Sequence, residues 1–170
     1  MIVFEIYKSD FVIQNQQEII SDLEWCVNLN AVNDYTWDYA KYNIFTLNPN
    51  SVMLNKLFLE LKNVVRNYIK EDTLWLQSWL NYDGENKFNT WHNHSWPYHG
   101  YISIRPHNTS TVFEDYEVKN EVGNIYIGKG FKKHYVKVEE KFDTPRITIG
   151  FDVKDINTKV YKEMVSFIPI

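Results

Sequence analysis

In TPRITIGFDV, residues 144–153, Arg146, Thr148 and Gly150 fall on one face of a strand and Ile147, Ile149 and Phe151 on the other, because successive side chains of a strand point to opposite sides. The apolar face calls for a core. The other face sets an arginine and a threonine hydroxyl in line, and such groups are costly to bury without partners. Guanidinium plus hydroxyl makes a receptor for a small carboxylate. An Asp or Glu of the chain itself, paired with Arg146, is the alternative.

Similar segments rich in Trp, Tyr, Ile, Val and Thr run back from there: LWLQSWLNY (74–82), YHGYISI (98–104), STVFEDYEV (110–118), NIYIG (124–128) and HYVKVE (134–139), with MVSFIPI (164–170) as a further candidate. Before residue 70 the texture is helical. IVFEIY (2–7) reads as a short strand, and Ile19, Ile20, Leu23, Cys26 and Val27 place a helix over Gln16–Leu29. Ser51 reads as the N-cap of VMLNKLFLELKNVVRNYI, whose Leu54, Leu57, Phe58, Leu61, Val64, Val65 and Tyr68 share one face. The stretch 30–46 reads as a long loop. Helices first and strands afterwards predict an α+β chain ending in an antiparallel sandwich or jelly roll. One domain, 1–170, is expected, with helical support over 1–70 and a β core over 71–170.

The chain has 170 residues, 44% of them hydrophobic and 16% aromatic, which argues for an ordered interior. A net charge of −4, with no Lys/Arg run longer than two, argues against nucleic-acid binding through a basic surface. Cys26 is the single cysteine, so no internal disulfide forms; it is expected to be a small core residue. Neither a signal peptide nor an apolar run near the ~18 residues of a membrane span is visible, so a cytoplasmic protein that makes no membrane contact is expected.

WHNHSWPYHG, residues 91–100, holds three of the five histidines. On a strand, His92 and His94 would share a face with Cα atoms roughly 6.5–7 Å apart, a spacing from which two imidazoles can converge on one metal ion. His134, opening a strand forty residues on, is the natural third ligand. His107, in a turn-like RPHNTS, is expected to face solvent. A chance pair, or histidines buried with their hydrogen bonds satisfied, is the alternative. Tyr82, ten residues before His92 across a glycine-containing turn, is placed to face the same pocket.

Together these stretches resemble the iron(II)/2-oxoglutarate-dependent oxygenases, in particular the small prolyl-hydroxylase-like members found in tailed phages and marine bacteria. The resemblance spans Trp75 to Val153 through SWLNYDGENKFNTWHNHSW, HGYISI, GNIYIGKGFKKH and PRITIGFDV. It implies a double-stranded β-helix, cupin-like, holding one Fe(II) between His92 and His134. It also implies a 2-oxoglutarate site at Arg146, with Thr148 beside it and Tyr82 as a second contact. His99, Tyr101 and Ser103 would line the pocket, and Trp91, Trp96, His99 and Tyr98 would form the substrate rim. Many relatives carry Asp or Glu at the second position of the histidine pair, completing a facial triad; here it is His94, as in the phage-type relatives. Asp83, Glu85 and Asp115 are the nearest acids, and no motif assigns them that place.

The implied activity is hydroxylation of a peptide side chain or small molecule with O2 and 2-oxoglutarate. Two other classes stay open: a cupin-like three-histidine metalloenzyme that needs no 2-oxoglutarate, and a non-enzymatic β-sandwich binding module.

Overall fold

The computed structural model describes residues 4–29, 42–84, 90–159 and 166–170. Strand β1 (Phe4–Lys8) leads into α1 (Asp10–Gln14) and α2 (Gln16–Leu29); α3 (Ile44–Leu47) and α4 (Val52–Ile69) follow. Ser51 caps α4, its Oγ accepting from the Leu54 N–H at 2.9 Å while it donates to Asp22 of α2. At the other end Lys70 takes a left-handed turn, φ 61°, and its N–H closes on the Arg66 carbonyl. Leu54, Leu57, Leu61, Val64 and Val65 are buried on one face of α4, and Ile19, Ile20, Leu23 and Cys26 on one face of α2. Burial first, and the Asp22 charge second, push the Cys26 thiol up to about 11, so it acts as an apolar core residue.

These helices pack on a six-stranded antiparallel sheet of order β1-β6-β3-β8-β2-β9, formed with β2 (Leu74–Asp83), β3 (Tyr98–Arg105), β6 (Asn124–Lys129), β8 (Arg146–Asp155) and β9 (Ile168–Pro169). Ile102, Ile104, Ile125, Ile127, Ile147, Ile149, Phe151 and Val153 point from it into the helical layer and form one continuous core. The opposite face meets a three-stranded sheet of order β5-β4-β7, made of β4 (Thr109–Phe113), β5 (Glu117–Lys119) and β7 (His134–Val138). Tyr101 and Tyr126 of the large sheet pack on Phe113 and Val118 of the small one and join the two layers.

Three expectations change. STVFEDYEV is not one strand: the chain turns at Glu114–Tyr116, where the Phe113 N–H meets the Tyr116 carbonyl at 2.8 Å, and gives β4 and β5. Of the expected loop over 30–46, residues 30–41 lie outside the described residues, and 44–47 form α3. Asn43 caps that helix and donates to the Leu76 and Ser166 carbonyls, 3.0 Å each. Finally, residues 91–97 contain no regular strand; His92 makes an isolated bridge with His134.

Candidate metal centre

That bridge builds the site. The His92 N–H donates to the His134 carbonyl at 3.0 Å and the His134 N–H returns to His92 at 2.8 Å. Two residues on, the His94 N–H donates to the Gly130 carbonyl at 2.8 Å. Residues 92–94 are thus clamped to the turn between β6 and β7, and all three rings fall together. His92 lies 4.4 Å from His134 and 5.5 Å from His94 between ring centroids, and His94 5.4 Å from His134. One nitrogen from each lies within 4.8 Å of the others.

The remaining nitrogens are engaged. Nδ1 of His92 faces the Thr90 carbonyl and Nδ1 of His134 the Lys132 carbonyl, 3.1 Å each. Nδ1 of His94 faces the Asp152 carboxylate at 3.1 and 3.3 Å. Oxygens of carbonyl and carboxylate only accept, so each Nδ1 carries the proton and each Nε2 offers a lone pair. Nε2 of His94 is buried and has no hydrogen-bond partner among the described residues. Three imidazoles whose Nδ1 atoms are engaged, so that each in its neutral form presents Nε2, one of them otherwise orphaned, fit a divalent transition metal at about 2.0–2.2 Å per nitrogen.

The same cavity, about 330 Å³, is walled by Arg146, Thr148 and Gly150 of β8 and by Trp79, Asn81 and Asp83 of β2. Trp79 packs against Gly150, where a Cβ would come within 2.7 Å of the indole, and stacks on His94 and His99 at 5.6 and 6.0 Å. Arg146 is 4% exposed, and its Nη1 donates to Thr148 Oγ1 at 3.3 Å. Burial pulls the guanidinium below the ordinary arginine value, and the charge of Asp83, its cross-strand neighbour, works against that shift.

Not every expected site residue reaches this cavity. Tyr82 does not: Trp79, Asn81 and Asp83 point inward from β2, so Tyr82 points to the helices and its hydroxyl donates to Glu24 at 3.3 Å. Trp91 is half-exposed and packs on Tyr135, Trp96 on Phe167, and Tyr98 between Tyr68 and the Lys129 ammonium; none of the three lines the cavity wall. His99 does line the cavity. It is buried, stacked on His94 at 3.6 Å, with Nδ1 3.0 Å from Asp152. Tyr101 lines the cavity, whereas the Ser103 hydroxyl is fully buried outside it. His107 sits apart, its Nε2 on the Thr144 carbonyl at 2.8 Å. Asp115 pairs with Lys132 on the surface, and Glu85 lies outside the described residues. The residue that sequence reasoning missed is Asp152, although it continues the alternation of Arg146, Thr148 and Gly150 along β8.

Burial drives the His134 imidazole far below its usual value, with repulsion from His99 adding to the shift. His99 is held at about 4, chiefly by burial and then by His94. Burial works to raise Asp152, but hydrogen bonds from His94 and His99 keep it below the usual carboxylate value. For a histidine depressed from 6.5 to about 4, the unfolded chain binds more protons between those values. Stability is therefore full above pH ~6.5 and is lost as pH falls toward 4, by about 3 kcal/mol from His99 alone. Asp152 adds its own loss only below about pH 4. Urea midpoints of the metal-free protein should fall steeply between pH 7 and 4.5; a flat profile would show that these imidazoles are not buried neutral.

No protein-family model matches the chain, and no curated protein does. Solved structures do. HygX from Streptomyces hygroscopicus superposes with a TM-score of 0.66 at 12% identity over 94% of this chain and 85% of that one. The nickel complex of the non-heme monooxygenase ThoJ gives 0.63 at 11% over 90% and 74%. The non-heme alpha-ketoglutarate-dependent epimerase SnoN, from nogalamycin biosynthesis, gives 0.56 at 11% over 90% and 78%. At these identities the shared property is the fold, which in this chain is two antiparallel sheets backed by helices.

Proposed function

We propose that the chain is an iron-dependent oxygenase of the 2-oxoglutarate-using type, a single domain built on a double-stranded β-helix, acting on a peptide side chain or small molecule. The observation that carries the reading is the union, in one cavity, of three converging imidazoles and a buried Arg146–Thr148 pair. His92, His94 and His134 would hold the metal, and Arg146 with Thr148 would take the far carboxylate of 2-oxoglutarate by charge-assisted hydrogen bonds. Tyr101 contributes to the wall between them. Iron with 2-oxoglutarate would activate O2, the oxidant, when bound; the three histidines and Arg146 would orient them. HygX has been solved with iron bound, and SnoN with Fe3+ and alpha-ketoglutarate, which supports the choice of metal and cosubstrate.

One observation favours a second reading. Asp83 stands opposite Arg146 and shares the cavity, so the guanidinium has an acid of the chain nearby. In that reading the protein is a three-histidine metalloenzyme that needs no 2-oxoglutarate. Anaerobic titration with Fe(II) and then 2-oxoglutarate separates the two. A weak visible charge-transfer band on adding 2-oxoglutarate is expected. Iron binding with no such band favours the second reading, and no iron binding defeats both.

A further inference from the structure

The buried carboxylate of Asp152 touches two imidazoles of the cluster without belonging to the three that converge. We infer that Asp152 is the positioning residue of the metal centre: it orients His94, fixes the proton on Nδ1 so that Nε2 faces the metal, and supplies from behind that ring the negative charge which an all-histidine ligand set lacks. The inference rests on the metal-dependent reading above.

Strand register sets Asp152 between His99 of β3 and Gln77 of β2, and only 2% of it is exposed. Oδ1 lies 3.0 Å from Nδ1 of His99 and 3.1 Å from Nδ1 of His94, and Oδ2 lies 3.3 Å from Nδ1 of His94. An ionised carboxylate accepts only, so both rings donate to it and both present Nε2 lone pairs. His94 is further fixed by its stack on His99, 3.6 Å apart at 11°, and by Trp79. It cannot turn without leaving a buried carboxylate short of a donor, which is strongly unfavourable.

Asp152 also lies close enough to His94 and His99 to form a ligand group with them. Its oxygens are occupied by the two Nδ1–H groups, however, and the orphaned atom is Nε2 of His94, not Nδ1. The carboxylate therefore works through the imidazole, raising its basicity, as carboxylates behind metal-bound histidines do.

Co(II) binding to wild type, Asp152→Asn and His134→Ala, followed by absorption and titration, tests this. Asp152→Asn keeps the shape and removes the charge. Its Co(II) affinity should fall by about 10–100-fold with an altered visible spectrum, and the iron-loaded protein should show a raised Fe(III)/Fe(II) potential. Wild type that takes up no Co(II) defeats the metal-centre reading itself. Wild-type uptake, with Asp152→Asn unchanged in affinity and spectrum, overturns the inference alone. A loss as complete as that of His134→Ala makes Asp152 a ligand and overturns it equally. Should Asp152→Asn fail to fold, nitrogen-15 NMR of the wild-type imidazoles decides: His94 protonated at Nδ1 is expected, and His94 protonated at Nε2 refutes it.

Discussion

His134→Ala is expected to abolish metal binding while the fold survives. The bridge that places residue 92 beside residue 134 runs through main-chain N–H and carbonyl groups, so alanine leaves the clamp in place and removes only the ring. That ring is 5% exposed and packs among His92, His94, His99 and Phe113. Of the acids at the site, Asp152 is already committed to His94 and His99, and Asp83 stands opposite Arg146. Two imidazoles, one of them exposed at the cavity mouth, then remain. The affinity for Fe(II) or Co(II) should fall by more than about 100-fold, beyond the 10–100-fold typical of groups behind the ligands. Circular dichroism should stay native. Retention of metal affinity within tenfold of wild type would falsify the three-histidine centre.

Arg146→Leu should act on the cosubstrate and spare the metal. The guanidinium is buried at the Thr148 side of the cavity, and hydrogen bonds to a charged partner are worth about 1.5–3 kcal/mol each. Loss of a two-pronged contact with a carboxylate should raise the half-saturating 2-oxoglutarate concentration by roughly 100–10,000-fold. Asp83 pushes in the same direction, because leucine leaves its charge facing an incoming dicarboxylate without the cation opposite. Metal affinity should change no more than a few-fold, since Arg146 touches none of the three histidines' engaged nitrogens. Titrating the charge-transfer band in wild type and variant gives both numbers. An unchanged 2-oxoglutarate requirement would transfer the chain to the reading without that cosubstrate.

Much of the fold was legible because its strongest elements are locally consistent. Ser51 followed by the apolar face from Leu54 to Val65 specifies α4, and the alternation over 146–153 specifies β8, each without help from distant residues. Asp152 lay in that same alternation and was passed over because an isolated acid two residues past a glycine has no motif. Tyr82 shows the opposite error. Nearness in sequence to His92 suggested a shared pocket, but strand parity sends residue 82 to the helices and residues 81 and 83 inward. The histidine pair converges for a reason no local pattern contains: the main chain at 92–94 is held by carbonyls of His134 and Gly130, some forty residues on. Trp91 and Trp96 likewise find their partners, Tyr135 and Phe167, far along the chain.

β8 lies between β3 and β2, with Arg146, Thr148, Gly150 and Asp152 toward the cavity and Ile147, Ile149, Phe151 and Val153 toward the helices. Carboxylate receptor, tryptophan cradle and histidine anchor are therefore spaced along one ruler with a two-residue graduation. Inserting or deleting one residue just after Arg146 would exchange the faces of the rest of the strand, driving an aspartate into the hydrocarbon layer and isoleucines into the cavity. The strand thus ties chemical competence to folding itself. Over evolutionary time its interior can accept substitutions one side chain at a time, while changes in length are confined to the turns at either end.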